Sequence, residues 1–134
     1  MKYGKRNVSI SDGKWHAICC VWLSHNGKYR IYKDGKVVVE ENGYCQGQII
    51  LAGGTWVVGQ DQDSVGGGFD EYQMLLGEIA DVNIWDKELS YPDIQEFSKS
   101  CQCKHRGNVK SWNNFTDGVK GNVRIFKKPT CRKV

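Results

Sequence analysis

Short β-like runs separated by turn residues occupy most of this 134-residue chain. Lys28–Lys33 and residues 36–40 flank Asp34-Gly35, a dipeptide typical of two-residue hairpin turns. Before them, residues 15–22 carry aromatic and β-branched side chains on both faces, which predicts a strand covered on both sides. Further runs follow at residues 48–52, 55–58, 75–85, 109–112 and 122–126. Many short strands with Gly and Asp turns predict an all-β, antiparallel two-sheet sandwich.

One segment has the pattern of a helix rather than a strand. Ser90 is a good N-cap, and Asp93 three residues later completes a capping box. Ile94 and Phe97 form one small apolar face. We therefore predict a helix over residues 91–99 that docks on a sheet.

An acidic loop at residues 59–73 is the clearest candidate binding site. Asp61 and Asp63 are two residues apart, so in an extended segment their side chains leave the same face. Glycines 66–68 permit the turns that return the chain toward this pair, and residues 61–86 contain no Lys or Arg. Since Ca²⁺ takes carboxylate, amide and carbonyl oxygens, the loop predicts a calcium site. The proposed ligands are Asp61, the backbone carbonyl of Gln62, Asp63, Asp70 and Gln73. A solvated turn without an ion is the alternative.

Composition indicates one globular unit, with 25% charged and 40% hydrophobic residues. No apolar run of about 18 residues exists, so we predict no membrane insertion. The first residues lack the apolar segment of a signal peptide, so in an exported protein they would not be the native beginning. Residues 99–134 carry ten Lys or Arg against Asp117 alone. They contain no nucleic-acid recognition motif, so we predict a solvated basic face and no nucleic-acid partner.

Six cysteines in a chain of this length favour disulfides and an oxidising compartment. They are Cys19, Cys20, Cys45, Cys101, Cys103 and Cys131. The spacing at Cys101 and Cys103 does not match a zinc knuckle. Asn7 and Asn114 begin sequons for N-glycosylation, which agrees with secretion.

Several of these segments, in this order, resemble the pentraxin domain. The motifs are Asp-Gly-Lys-Trp-His-Ala-Ile-Cys at 12–19, Gly-Gln-Asp-Gln-Asp-Ser at 59–64, Gly-Glu-Ile at 77–79, Val-Asn-Ile-Trp-Asp at 82–86 and Leu-Ser at 89–90. The resemblance implies a flattened jelly roll of the concanavalin or lectin type with one short helix. It also implies secretion, homo-oligomeric rings, and calcium-dependent binding of phosphorylated or carbohydrate ligands.

The resemblance also assigns roles to individual residues. Asp61 takes the place of the first loop acid, Gln62 offers its carbonyl, and Asp63 would bridge two ions. Asp70 and Gln73 match ligands of the second ion. Aspartate stands at 61 and 70 where well-known members have glutamate, which shortens the reach of both side chains.

The cysteines correspond less completely to the family. Cys101 or Cys103 resembles a cysteine that some long pentraxins join to one near the C-terminus, a position that Cys131 fits. Cys19 matches a disulfide cysteine whose usual partner is missing, and Cys45 is a substitute partner. Residues 1–134 match only the later part of the domain, so we expect a partial pentraxin domain, incomplete at its N-terminus. Either the chain is a fragment or a partner's strands fill the gap.

Three functions follow from this pattern. The first is a secreted, calcium-dependent recognition module without bond chemistry. The second is a glycosidase using Asp61, Asp63 and Asp70, which we set aside because a carboxylate that binds metal is not free to act as a general acid. The third is a structural module of a larger extracellular protein, in which calcium only stiffens the loop. We predict the first and keep the third as its alternative.

Overall fold

A three-stranded antiparallel sheet is the main regular element of the computed structural model, which describes residues 8–99 and 106–126. Its strands are β1 (Ile18–Leu23), β2 (Lys28–Lys33) and β3 (Lys36–Glu41), in that order across the sheet. One α-helix follows, α1 (Tyr91–Phe97), with short 3₁₀ helices at Glu71–Gln73 and Trp112–Phe115. None of the helices in the described residues has the length and apolar character needed to cross a bilayer.

The β2–β3 hairpin forms where the sequence predicts it. Asp34 and Gly35 have φ values of 52° and 74°, and two positive φ angles are what a type I′ turn requires. Lys33 pairs with Lys36 beside the turn, and the register shifts between Ile31 and Tyr32. The hairpin prediction is confirmed, since turn chemistry and strand propensity agree locally.

Helix α1 packs on one face of the sheet, and the core lies between the helix and the sheet. Val21, Tyr32 and Ile94 expose 9%, 4% and 2% of their surface, and Cys19, Leu23 and Leu89 pack around them. The capping box is present: the Ser90 backbone N–H donates to the Asp93 carboxylate, and the Asp93 N–H donates to Ser90 Oγ. The predicted docked helix is therefore confirmed, although it ends at Phe97 rather than at residue 99.

The other face of β1 is open, and here the prediction of cover on both sides is wrong. Ile18 exposes 44% of its surface and Cys20 is also exposed. Trp22 is half-buried, and its indole N–H donates to the Tyr44 carbonyl at 2.9 Å. Helix α1 lies on the opposite face, and in the described residues no second sheet packs against this one.

The other predicted strands do not form. Residues 48–52, 55–58, 75–85, 109–112 and 122–126 contain no strand, and only isolated bridges occur there and in the loop, such as Gln60 with Met74 and Ile84 with Lys110. A strand needs a neighbour for its backbone hydrogen bonds. Residues 49–51 instead expose 73–76% of their apolar side chains. The described residues thus contain one sheet, and the two-sheet sandwich is not confirmed.

Candidate functional site

Backbone contacts close the neck of the acidic loop. The Leu75 N–H donates to the Gly59 carbonyl at 2.9 Å, and Gln60 and Met74 form an antiparallel bridge. The segment between them therefore begins and ends at one place. The chain thus returns at the neck of the loop, while the predicted approach of Asp70 and Gln73 to Asp61 and Asp63 stays a prediction.

Inside the loop, Gln62 and a glycine turn fix the backbone. The Gln62 amide donates to the Thr55 carbonyl at 2.9 Å, and its side-chain oxygen accepts the Gly66 N–H at 2.9 Å. Gly66 and Gly68 have φ values of 70° and 72°, so two of the three glycines make the left-handed turns expected of them. Both ends of the Gln62 side chain are thus engaged within the loop, and its backbone carbonyl is the group predicted to bind an ion.

The three loop carboxylates predicted as ion ligands, Asp61, Asp63 and Asp70, are exposed and have mainly local contacts. Asp61 Oδ1 accepts the Gln62 N–H at 3.0 Å, and Asp70 Oδ1 accepts the Tyr72 N–H at 2.9 Å. Asp63 lies directly against Gly68, where an added Cβ would come within 2.9 Å of the Asp63 Cβ. Gln73 lies close to Asp70, since its N–H donates to the Asp70 carbonyl at 3.1 Å.

These acids do not form a complete metal centre in the structure. Across residues 8–99 and 106–126, no three His, Cys, Asp or Glu side chains are grouped so that they could hold a metal ion. The structure brings Asp70 and Gln73 together and leaves Asp61 and Asp63 on the other limb of the loop.

Gln60 is a functional candidate that the sequence reasoning missed. Its amide nitrogen donates to the Asp70 carbonyl at 3.1 Å, while its buried side-chain oxygen has no hydrogen-bond partner among the described residues. A buried carbonyl oxygen without a donor costs about 1–3 kcal/mol, and a hard cation would satisfy it. The chemistry of the loop thus fits Ca²⁺, with three carboxylates and a spare amide oxygen. The available signal was the position of Gln60, directly before Asp61.

An open groove of about 400 Å³ lies at the carboxyl-terminal limb of the loop. Glu71, Tyr72, Met74 and Leu76 line it. Tyr72 exposes 89% of its surface. An exposed aromatic face next to a carboxylate can contact the apolar face of a small ligand.

Separately, His16 lies between two carboxylates. Its Nδ1 is 2.8 Å from Asp34 Oδ2, and its Nε2 is 2.9 Å from Asp12 Oδ1. Asp34 also accepts the Ala17 N–H at 2.9 Å. No sequence pattern links these residues, because Asp34 reaches His16 only through the fold of the hairpin. His16 therefore ties the turn before β1 to the β2–β3 turn.

The hydrogen bonds in this cluster shift the pKa values of His16 and of both carboxyl groups. The hydrogen bonds that His16 donates to Asp34, and to a smaller extent to Asp12, raise the pKa of His16 above 6.5. The His16 hydrogen bond lowers the pKa of Asp12 below 3.8. For Asp34, burial alone would raise the pKa, but hydrogen bonds from His16 and the Ala17 N–H, with the charge of Lys33, lower it overall. Lys14 likewise favours the charged form of Asp12.

These shifts predict a pH dependence of stability. A raised histidine pKa stabilises the fold fully below about pH 6.5, and this contribution is lost as the pH rises through the folded-state pKa. The two lowered carboxyl pKa values stabilise the fold above about pH 3.8 and are lost in more acidic solution. We expect the melting temperature to be highest between these limits and to fall from pH 6 to pH 8.5.

Variants at two histidines test this dependence by thermal unfolding followed with circular dichroism. In His16→Asn, most of the decline between pH 6 and pH 8.5 should be absent. The control is His25→Asn, which changes an exposed histidine on the β1–β2 turn and should keep the decline. Equal slopes in His16→Asn and the unsubstituted protein would refute the assignment to His16.

Three cysteines lie in the described residues, and all are free thiols: Cys19, Cys20 and Cys45. Burial, with a smaller effect of Cys20, raises the pKa of the Cys19 thiol to about 11. Burial also raises the pKa of Cys20, against a hydrogen bond with Tyr29 that lowers it. Cys19 and Cys45 are therefore not joined here, and that pairing stays a prediction. Cys101, Cys103, Cys131 and Asn7 lie outside the described residues.

Comparison with known families gives a match over most of the chain. The model described as "Pentaxin family" matches residues 3–129. The sushi, von Willebrand factor type A, EGF and pentraxin domain-containing protein 1 of Rattus norvegicus is 37% identical over 118 residues, which are 87% of this chain and 3% of that protein. Human neuronal pentraxin-2 is 33% identical over 132 residues, which are 98% of this chain and 30% of that protein. The chain thus spans under a third of these relatives.

A solved structure is similar as well. The heptameric SAP-like pentraxin from Limulus polyphemus aligns with a TM-score of 0.69 at 37% identity. The alignment covers 78% of this chain and 48% of the Limulus chain. The aligned part of this chain therefore corresponds to about half of the Limulus chain.

Proposed function

This chain belongs to the pentaxin (pentraxin) family, and from that premise we propose that it is a secreted, calcium-dependent recognition module for phosphate-bearing or carbohydrate ligands. The observation that carries the proposal is the closed acidic loop with the unpartnered Gln60 oxygen. Bound Ca²⁺ would supply open coordination positions for phosphate or sugar oxygens.

The loop residues would have two roles, since some would bind the ion and others would contact the ligand. Asp61, Asp63, the Gln62 carbonyl, Asp70 and Gln73 would hold the ion or ions, with Gln60 as a further oxygen donor. Tyr72 and Met74 would contact apolar parts of a ligand bound beside them. No nucleophile or general acid is required for binding, so we propose a module that is not an enzyme.

The open face of β1 supports a proposal about the complete fold. We infer that further strands cover Ile18 and Cys20 and complete a two-sheet jelly roll, since an uncovered apolar sheet face invites association. The heptameric Limulus relative supports a homo-oligomer. In such a ring, several weak sites act together and raise avidity.

A structural role is the second candidate, and one observation favours it. Gln62 bonds to Thr55 and Gly66, and the neck is bonded at Gly59, so the loop is already closed by its own hydrogen bonds. In this alternative, calcium stiffens a spacer module and no ligand is bound.

Calorimetric titration with Ca²⁺ tests the proposal. The protein should release or absorb heat on binding, and Asp63→Asn should weaken the affinity by at least about 10- to 100-fold, because a direct ligand matters no less than a supporting residue. Gln60→Leu should weaken it as well. Asp117→Asn, an exposed carboxylate outside the loop, is the matched control and should bind as the unsubstituted protein does.

Retention on phosphate-bearing and polysaccharide resins separates the two candidates. The recognition module should bind in Ca²⁺ and elute with a chelator, and Asp63→Asn should not be retained. A melting temperature that rises with Ca²⁺ while neither resin retains the protein would favour the spacer. If the complete protein shows no heat of Ca²⁺ binding, both the calcium-dependent recognition function and the calcium-stiffened spacer are excluded.

A further inference from the structure

We propose that Asn114 carries an N-linked glycan in the mature protein, an inference that rests on the secretion proposed above. Asn114-Phe115-Thr116 has the required acceptor form, since the middle residue is not proline. The chain holds a second sequon at Asn7, but only the one at Asn114 falls within the described residues. Its geometry can therefore be tested against the demands of the reaction.

The Asn114 amide is held in a fixed orientation at the surface. Asn114 is exposed within the 3₁₀ helix Trp112–Phe115. Its side-chain oxygen accepts two hydrogen bonds from Ser111, one from the backbone N–H at 2.8 Å and one from Oγ at 3.2 Å. These bonds engage the oxygen, and within the described residues they leave Nδ2, the atom that receives a sugar, without an acceptor.

The rest of the sequon is suited to the same reaction. Thr116 is exposed, and its hydroxyl donates to the Asn113 carbonyl at 2.8 Å, while Phe115 between the two polar residues is half-buried. The acceptor and hydroxyl residues are thus both accessible at the surface. A glycan on Nδ2 leaves the Asn114 oxygen free to accept from Ser111, so the modification keeps both bonds that fix this helix.

The reaction is a glycosyl transfer from a lipid-linked oligosaccharide diphosphate in the secretory pathway. A bond forms between Asn114 Nδ2 and C1 of the first sugar, and the bond from C1 to the diphosphate oxygen breaks. The lipid diphosphate leaves with the bonding electron pair, and the amide proton passes to a base of the transferase. No oxidation or reduction occurs.

The test expresses the chain in eukaryotic cells behind a secretion leader, with Asn7→Gln in all variants and a reporter sequon in a C-terminal tag. Glycosylation of the reporter shows that the chain entered the compartment. Total cell protein is treated with a peptide-N-glycosidase, which hydrolyses the bond between the asparagine side-chain carbonyl and the glycan-bearing nitrogen, and mass spectrometry measures conversion of Asn114 to Asp, so variants that fold poorly are still scored. We expect conversion in this background and in Thr116→Ser, and none in Thr116→Ala.

Two further results complete the test. Asn114→Gln should lose one glycan by gel mobility, and Asn113→Gln, which leaves the sequon intact, should keep it. A glycosylated reporter with unmodified Asn114 would overturn the proposal. Since this experiment does not measure calcium binding, failure here leaves the recognition function to be judged by its own titration.

Discussion

Ile94→Ala is expected to destabilise the fold by about 2–5 kcal/mol. Ile94 exposes only 2% of its surface and is the one helical residue in the core cluster with Val21 and Tyr32. Truncation removes the apolar contact between α1 and the sheet. It also leaves a cavity that so small a core, with Val21 and Tyr32 as its other buried residues, cannot close easily. The unfolding free energy, from urea titration of the complete protein, measures the loss.

Graded controls separate lost packing from other effects at this site. Ile94→Val removes one methylene and should cost about 0.5–1.5 kcal/mol. Ile50→Ala shortens a side chain that is 76% exposed, so it should change stability by no more than about 0.5 kcal/mol. If Ile94→Ala costs no more than Ile50→Ala, α1 is not docked as the structure has it.

Local signals explain which parts of the fold could be predicted from sequence. The Asp34-Gly35 hairpin and the Ser90 cap depend on residues within a few positions of each other, and both are confirmed. The runs at 48–52 and 75–85 have strand-like composition, but a strand forms only when another backbone lies beside it. Composition indicates the conformational preference of a segment, but it does not indicate whether a neighbouring strand is present to pair with it.

The candidate site likewise has some features that could be predicted from sequence and others that could not. The neck joins Leu75 to Gly59 through a hydrogen bond across 16 residues, but the glycine turn at Gly66 and Gly68 follows from local chemistry and could be predicted. The spare oxygen of Gln60 could not, because its burial depends on the opposite limb of the loop. His16 is a parallel case, since its partner Asp34 is 18 residues away and arrives through the hairpin.

The contact between residues 81–86 and 107–110 is another long-range feature that sequence patterns did not reveal. Ile84 and Lys110 form a bridge, the Gly107 N–H donates to the Asn83 side chain at 3.1 Å, and the Asn108 amide donates to Asp86 at 2.6 Å. Trp85 lies between these contacts and packs against Phe97 of α1 with the two rings tilted by 40° and their centroids 5.2 Å apart. Disruption of this contact should therefore also weaken the packing of α1.

Gly107→Ala is expected to disrupt this contact and to cost about 1–3 kcal/mol or more. A Cβ at Gly107 would lie 2.0 Å from the Lys110 carbonyl oxygen and 2.6 Å from the Ile84 backbone nitrogen and oxygen. All three atoms belong to backbone, so no side chain can rotate to make room. The bridge must open, and its hydrogen bonds, including the 2.8 Å bond from the Ile84 N–H to Lys110, are lost.

Urea unfolding and hydrogen exchange together locate the effect of Gly107→Ala. The amides of Ile84 and Val109, which donate within this contact, should exchange faster than in the unsubstituted protein, while amides of the β2–β3 hairpin should change less. Gly54→Ala is the matched control, because a Cβ there meets nothing within 4 Å. That control should be neutral or slightly stabilising, since alanine restricts the unfolded chain. Equal stability of the two variants would mean that Gly107 does not approach the Ile84 backbone, and the contact between 81–86 and 107–110 would have to be abandoned.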